Sequence, residues 1–404
     1  MGVSLENTLH SASSWRDSVG SKRDSKCPVI CHLCDFAPEY PGSFIDSLLC
    51  LARYCQENLR INTFCIFPDR AKDRNWLKAL SDAGVKYGFV PQKRSIFLPL
   101  VRALRGCEPL ILHSHFATFD VSAVILKIAR HRSSKVVWHF HSVAQLTAAQ
   151  RLKDVIKVNI LARSFGDLFI SVAEGVYGNA LDRGFPRDRL FLDHNGINVA
   201  KFLPDHNRQR DARAFLGASK DQTVFLLLGY DPIIKGADLF VKAAAKIHRE
   251  SAGNCLFVII GREQTREFVT RMSEFSELGA TLRILEPMPE FSRVLSGVDV
   301  LVAASRSEGL SYAVLEAMAS GKIVLCSDIP GVREVFGEVK GVWLFPTEDW
   351  QQLSELMRKA KNLSGIQQQA LAHENSGHVA ARHSVEHWAQ QIAARYDQLL
   401  NKKW

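Results

Sequence analysis

No stretch of this chain approaches the ~20 consecutive apolar residues that a membrane-spanning helix needs. Residues 1–26 are polar, and Leu5, Leu9 and Val19 form no apolar block. A signal peptide is therefore not expected there, and the segment reads as a disordered tail. Met1-Gly2 begins a myristoylation pattern, but Glu6 stands where that pattern needs Ser or Thr. Asp-x-Asp is absent throughout. Any phosphate chemistry would then fall to positive protein groups rather than to a metal clamp. A second Cys-x-x-Cys is absent too. Cys27, Cys31, His32 and Cys34 crowd into one apolar strand whose side chains alternate faces, so no zinc site is expected there. The nine cysteines are irregularly spaced. That suits reduced, buried thiols and a cytoplasmic setting better than a disulfide framework. No recognised nucleic-acid-binding module is present.

What is present is a chain of 404 residues, 47% hydrophobic and 23% charged. That length predicts two globular domains. The net charge of +9 is one-sided. Residues 27–195 carry 22 Lys+Arg against 15 Asp+Glu, whereas residues 196–404 carry 25 against 24. The basic excess in the first half points to an anionic surface partner such as a membrane.

Short apolar strands alternate with helical segments along both halves. In the first half the expected strands are Val29–Leu33, Asn62–Phe67, Val85–Val90, Leu110–Ser114, Val136–His141, Leu168–Val172 and Leu190–Asp193, with helices such as Ser43–Gln56 and Ala123–Arg130. In the second they are Val224–Leu228, Leu256–Ile260, Leu282–Leu285, Val300–Ala303, Ile323–Cys326 and Val342–Phe345. Helices there include Ala237–Glu250, Glu290–Leu295, Tyr312–Ser320 and Trp350–Lys361. Apolar strands bounded by helices imply parallel sheets covered on both faces, hence an α/β chain of two doubly wound domains facing across a cleft. The change-over falls at the turn-rich Asn195-Gly196-Ile197-Asn198. Expected domains are 27–195 and 196–383. A final helix, Ser384–Leu400, carries Trp388, Ile392, Tyr396 and Leu399 at helical spacing.

The most informative segment is Ser305–Val335, SRSEGLSYAVLEAMASGKIVLCSDIPGVREV. Glu308 and Glu316 have seven residues between them, Gly309 follows the first, and the second lies in an Ala-rich helix that ends at Gly321. A strand end, a Gly-containing loop and a helix in that order form a ligand site in an open α/β sheet, with free N–H groups for an anion. Two carboxylates beside an anion site need neutral polar partners, and sugar hydroxyls with a ribose would serve. This segment resembles the retaining glycosyltransferases of family 4, group 1, which have the GT-B fold. Glu316-Ala317-Met318-Ala319-Ser320-Gly321 matches every fixed position of their signature. The resemblance covers most of residues 27–400, and it implies that the last helix, within 384–404, packs back on the first domain.

By that resemblance Glu316 would hold the ribose hydroxyls of a nucleotide-sugar. Glu308 would sit near the transferred sugar. Backbone N–H groups of Gly309, Leu310 and Ser311 would meet the diphosphate. The loop Leu228–Gly236 resembles the family's phosphate-gripping loop. Lys235 fits the expected lysine, whereas Tyr230 stands where an Arg is expected. Arg262 or Arg306 would then substitute. His141 ends its strand at the place of a family His near the reaction centre. His113 and His115 end the preceding strand and share one face, as His139 and His141 do. A zinc site among these four would need tetrahedral convergence from two strands and is not expected. Gly42-Ser43, in the first loop, resembles the family's acceptor loop, with His115 on the same side. Lys93–Arg105 mixes basic and bulky apolar residues and reads either as membrane-facing or as an ordinary half-buried helix.

The expected function is transfer of a hexosyl unit from a UDP- or GDP-sugar to a glycan or lipid-linked glycan. No cofactor or metal is expected, and nucleic acid is not an expected partner. The expected place is the cytoplasm, at the membrane's inner face where the acceptor requires it, in polysaccharide or cell-envelope glycan synthesis. Two alternatives stay open. A GT-B sugar-nucleotide 2-epimerase would turn over donor without acceptor. A non-catalytic partner subunit would bind but not transfer.

Overall fold

The computed structural model describes residues 27–91, 97–250, 254–289 and 291–401. The expected tail, the basic start of the Lys93–Arg105 stretch and Glu290 lie outside the described residues.

The first sheet has seven strands: β1 (Cys27–Cys34), β2 (Asn62–Pro68), β3 (Lys86–Val90), β4 (Cys107–His115), β5 (Lys135–Phe140), β6 (Leu168–Ser171) and β7 (Leu190–Leu192). Their order is β3-β2-β1-β4-β5-β6-β7, and every pairing is parallel. The second sheet has six: β8 (Thr223–Leu228), β9 (Cys255–Ile260), β10 (Leu282–Leu285), β11 (Val300–Ala303), β12 (Ile323–Ser327) and β13 (Val342–Phe345). It runs β10-β9-β8-β11-β12-β13, again all parallel. The strands read as unbroken apolar runs because helices cover both faces. In β9 and β12 every residue is buried.

These two orders place a topological switch between β1 and β4 in one sheet and between β8 and β11 in the other. Loops leaving the carboxyl ends at a switch form a crevice. Those loops carry the residues that the sequence singles out.

The helix Val385–Asn401 returns to the first sheet. Trp388, Ile392, Tyr396 and Leu399 share one apolar cluster with Ile30, Ile111, Val137 and Ile170. The return is pinned where the chain crosses between sheets, because Ile197 N–H donates to His383 O at 2.8 Å and Val385 N–H to Ile197 O at 2.8 Å. β1, β2, β4, β8, β9 and β12 extend the expected strands by one to three residues at an end, whereas β3, β6 and β7 are one residue shorter and β5 ends at Phe140 rather than His141. β4 begins at Cys107 rather than Leu110, paired with β1 from Cys27. The helix Gly365–Arg382, which the sequence reading did not single out, packs against the helix Tyr312–Ala319. Among the described residues no helix is long and apolar enough to cross a membrane.

Candidate functional site

The helix Tyr312–Ala319 starts at Ser311, whose side chain makes no capping bond. Its first backbone N–H groups have no intrahelical acceptor, which leaves them to an anion. Gly309 lies immediately upstream. A Cβ there would come within 2.2 Å of His141 O in the facing domain, so only glycine permits the approach. Leu310 O is held by Asn195 Nδ2 at 3.1 Å. The loop before the helix thus lies against the opposite domain at Gly309 and is hydrogen-bonded to it at Leu310.

Glu316 sits one turn into this helix and is 7% exposed. Ser43 Oγ, from the first domain, donates to its Oε1 at 2.6 Å. Burial pushes the carboxyl up to about 7, with the Asp46 charge adding to the rise and the Ser43 hydrogen bond and Lys201 opposing it. The expected donor-side carboxylate and the expected acceptor-side serine are therefore direct partners. Ser43 is the second residue of the helix Gly42–Tyr54, in which Gly42 has φ +53.

Glu308 faces a different set. Lys235 Nζ pairs with its Oε1, and Ser305 Oγ donates to the same oxygen at 2.9 Å. The ammonium arrives there because the β8 loop lies against the β11 loop. Gly236, at φ +68, has no room for a Cβ, which would sit 2.1 Å from Ala304 O. The two loops are also tied by Arg306 N–H to Ile234 O at 2.8 Å.

Arg306 requires a correction. All five of its N–H groups are spent. Nε and Nη2 grip Glu348 at 2.5 and 2.7 Å. Nη1 and Nη2 grip Asp238 at 2.9 and 2.8 Å. Nη1 also bonds Ile233 O. These acidic partners raise the guanidinium further above its usual range, and it holds the β8 loop in place rather than offering a donor to phosphate. Arg262, just past β9, differs. It is exposed, stands at the N-cap of the helix Glu263–Thr270, and its side chain makes no hydrogen bond or ion pair among the described residues. Tyr230 is 37% exposed. Partial burial and the Glu316 charge raise its hydroxyl, while Arg262 lowers it. Tyr230, Arg262 and Glu316 therefore share one electrostatic environment, into which Tyr40 of the first loop also reaches.

His141 follows β5 rather than ending it. Its Nε2 meets His115 Nδ1 at 3.1 Å. Its ring stacks on Phe116 at 4.4 Å. Burial drives its pKa to about 3, so it is a neutral imidazole at the cleft. A surface pocket lined by Asp46, Arg53, Thr63, Lys201 and Glu386 contains none of the expected residues. The sequence reading missed Asp238, Glu348 and Ser305, whose roles depend on loops far apart in the chain. It also missed His32 as a neighbour of His113 and His115. The β1–β4 register, which sets His32 opposite His113, supplies the signal.

Comparison with known proteins agrees with this geometry. The family model for glycosyl transferases group 1 matches residues 208–375, and that for Glycosyltransferase Family 4 matches residues 50–201. A D-inositol 3-phosphate glycosyltransferase of Nocardia farcinica is 27% identical over 232 residues, which is 54% of this chain and 49% of that protein. Another, of Thermobispora bispora, is 24% identical over 316 residues, 72% of this chain and 71% of its own length. Lipopolysaccharide glucosyltransferase WaaG of Escherichia coli is 25% identical over 165 residues, 41% of this chain and 43% of that protein. The chain spans about half the length of the first of these relatives (49%). Among solved structures, Anabaena HepE in complex with UDP has a TM-score of 0.75 at 16% identity, covering 92% of this chain and 100% of that one. Its complex with UDP-glucose has a TM-score of 0.76 at 16% identity, with 91% and 100% covered. At that identity the likeness establishes the fold, and the fold is GT-B.

Proposed function

Because this chain belongs to the group 1, family 4 glycosyltransferases, we propose that it moves a hexosyl unit from a UDP- or GDP-sugar to a glycan or lipid-linked glycan, with retention at the anomeric carbon. The observation that carries the proposal is the convergence of Glu316, Glu308 and Lys235 around the open start of the helix Tyr312–Ala319. Glu316, once ionised, accepts only, and a vicinal diol is its natural partner. Lys235 and the helix N–H groups would meet the diphosphate. Their attraction grows as the bond from the anomeric carbon to the β-phosphate oxygen breaks and negative charge gathers on the leaving group. That leaving phosphate takes the proton of the acceptor hydroxyl as the new carbon–oxygen bond forms on the same face. Arg262 is the free guanidinium best placed to replace the arginine that Tyr230 displaces. The UDP and UDP-glucose complexes of HepE support a uridine donor.

A second reading concerns the acceptor. Leu98, Val121, Ile125, Ile128, Leu152 and Ile156 are exposed on neighbouring helices of the basic domain, beside exposed Arg130, Arg151 and Lys153. Exposed apolar side chains among cations suit an anionic bilayer, which would carry a lipid-linked acceptor. Ile156→Glu with Leu152→Glu should abolish flotation with phosphatidylglycerol vesicles. Unchanged flotation would remove the membrane from this reading.

The first test is a thermal-shift panel of UDP, GDP, ADP and their sugars. One nucleotide should raise the melting temperature by mass action, and Glu316→Ala should lose the shift. No shift with any nucleotide would overturn the transferase reading in favour of a non-catalytic partner subunit. Donor turnover without acceptor would favour an epimerase.

A further inference from the structure

Beneath the cleft, one face of the first sheet carries five histidines. β1 supplies His32, β4 supplies His113 and His115, and β5 supplies His139, with His141 just beyond its end. Strand register places His32 opposite His113 and His115 opposite His139. The rings of His32, His113 and His115 lie 4.2 to 5.4 Å apart by their centroids. Helix Val385–Asn401 closes the face, and Tyr396 Oη meets His113 Nδ1 at 2.5 Å.

These groups are sealed from solvent. His32 and His113 are 0% exposed and His115 is 1% exposed. Among the described residues, His32 Nε2, His113 Nε2 and both ring nitrogens of His139 have no hydrogen-bond partner. A sheet face that could carry leucine or valine instead carries ring nitrogens, His113 Nε2 among them, that no described residue satisfies. Such groups are costly unless something meets them.

We propose that His32, His113 and His115 together hold one divalent transition-metal ion of the imidazole-preferring class, zinc foremost. One ring nitrogen from each lies within 4.8 Å of the others. His32 Nδ1 and His115 Nε2, a hydrogen-bonded pair that the ion would replace, are 3.1 Å apart. That is near the ~3.3 Å edge of a tetrahedron with metal–nitrogen bonds of ~2.0–2.1 Å. Tyr396 orients His113 from behind, as outer partners of ligating histidines do. Burial keeps all three imidazoles neutral, which is the ligand form. The ion would not touch the diphosphate. It would join β1 to β4 and set the polarity of the chain of rings that ends at the cleft. With the metal on His115 Nε2, the remaining proton sits on Nδ1 and donates to His141 Nε2 at 3.1 Å. The neutral His141 then carries its own proton on Nδ1.

This proposal does not depend on the transferase reading. The test uses the untagged full chain, expressed in minimal medium supplemented with zinc or with cobalt, followed by elemental analysis and visible spectroscopy. The expected result is about one ion per chain and the intense visible bands of four-coordinate cobalt, a water completing the three imidazoles. His113→Phe and His32→Gln should lose both, while His139→Phe keeps them, with circular-dichroism melts confirming that each variant folds. Should a variant not fold, His113→Gln and His32→Asn take its place, and X-ray absorption of the wild-type cobalt protein should show three imidazole nitrogens. Sub-stoichiometric metal in the wild type would overturn the proposal and leave ordered water as the occupant. So would metal retained by His113→Phe. Loss in His139→Phe alone would move the ion to His115, His139 and His141 and also overturn this assignment.

Discussion

Glu316 offers a quantitative test, because its environment opposes its charge. It is 7% exposed, and burial carries its pKa from 4.5 to about 7. Between those values the folded chain keeps a proton that the unfolded chain has released. Stability contributed by the protonated carboxyl is therefore full below about pH 4.5 and declines as pH rises through about 7. A shift of about 2.5 pKa units, at about 1.4 kcal/mol each, amounts to about 3 kcal/mol by pH 8. Glu316→Gln removes the ionisation and keeps an oxygen to accept the 2.6 Å bond from Ser43. The variant should melt above the wild type at pH 8, and the gap should close by pH 5. Paired thermal melts across this range measure it. A melting-temperature difference that stays constant with pH would refute the reasoning. The same carboxylate should favour the nucleotide in its ionised form. Nucleotide affinity of the wild type should then rise with pH through about 7.

The other expectations concern the loops around it. Lys235→Ala should lower kcat by about a hundredfold or more, read from nucleotide release, since it removes one positive group aimed at the leaving phosphate. Tyr230→Arg should lower the donor KM by about tenfold by restoring a bidentate phosphate grip, and an unchanged KM would show that Arg262 already supplies it. Gly309→Ala should reduce both melting temperature and activity, because its Cβ would lie 2.2 Å from His141 O and force the domains apart. Arg306→Ala should destabilise the chain by about 2 kcal/mol. The nucleotide-induced shift should survive in the protein that remains folded.

The architecture was legible because both sheets are parallel and doubly covered. Strands such as Cys255–Ile260 announce themselves as unbroken apolar runs between helices. The Glu308–Glu316 segment was legible because strand, loop and helix are contiguous, so spacing alone fixes which residues share the helix start. What escaped was long-range. Nothing local in Arg306 reveals that Asp238 and Glu348 consume its donors. Nothing in Ser43 reveals a carboxylate 273 positions away. His32 looked like one member of a cysteine-rich strand, because a pairing register is needed to set it against His113. Exposed aliphatic residues on Ala148–Ile156 look, in sequence, like the buried stripe of any helix.

The return of the helix Val385–Asn401 bears on how the chain is made. Trp388, Ile392 and Tyr396 complete an apolar layer begun by Ile30, Ile111 and Val137. The first domain to leave the ribosome is therefore the last to be finished. It waits, with its histidine face uncovered, until that helix emerges. Cutting the gene between the sheets would not give two independent halves: the amino-terminal piece would lack its lid, and the carboxyl-terminal piece would carry an apolar helix with nothing to cover.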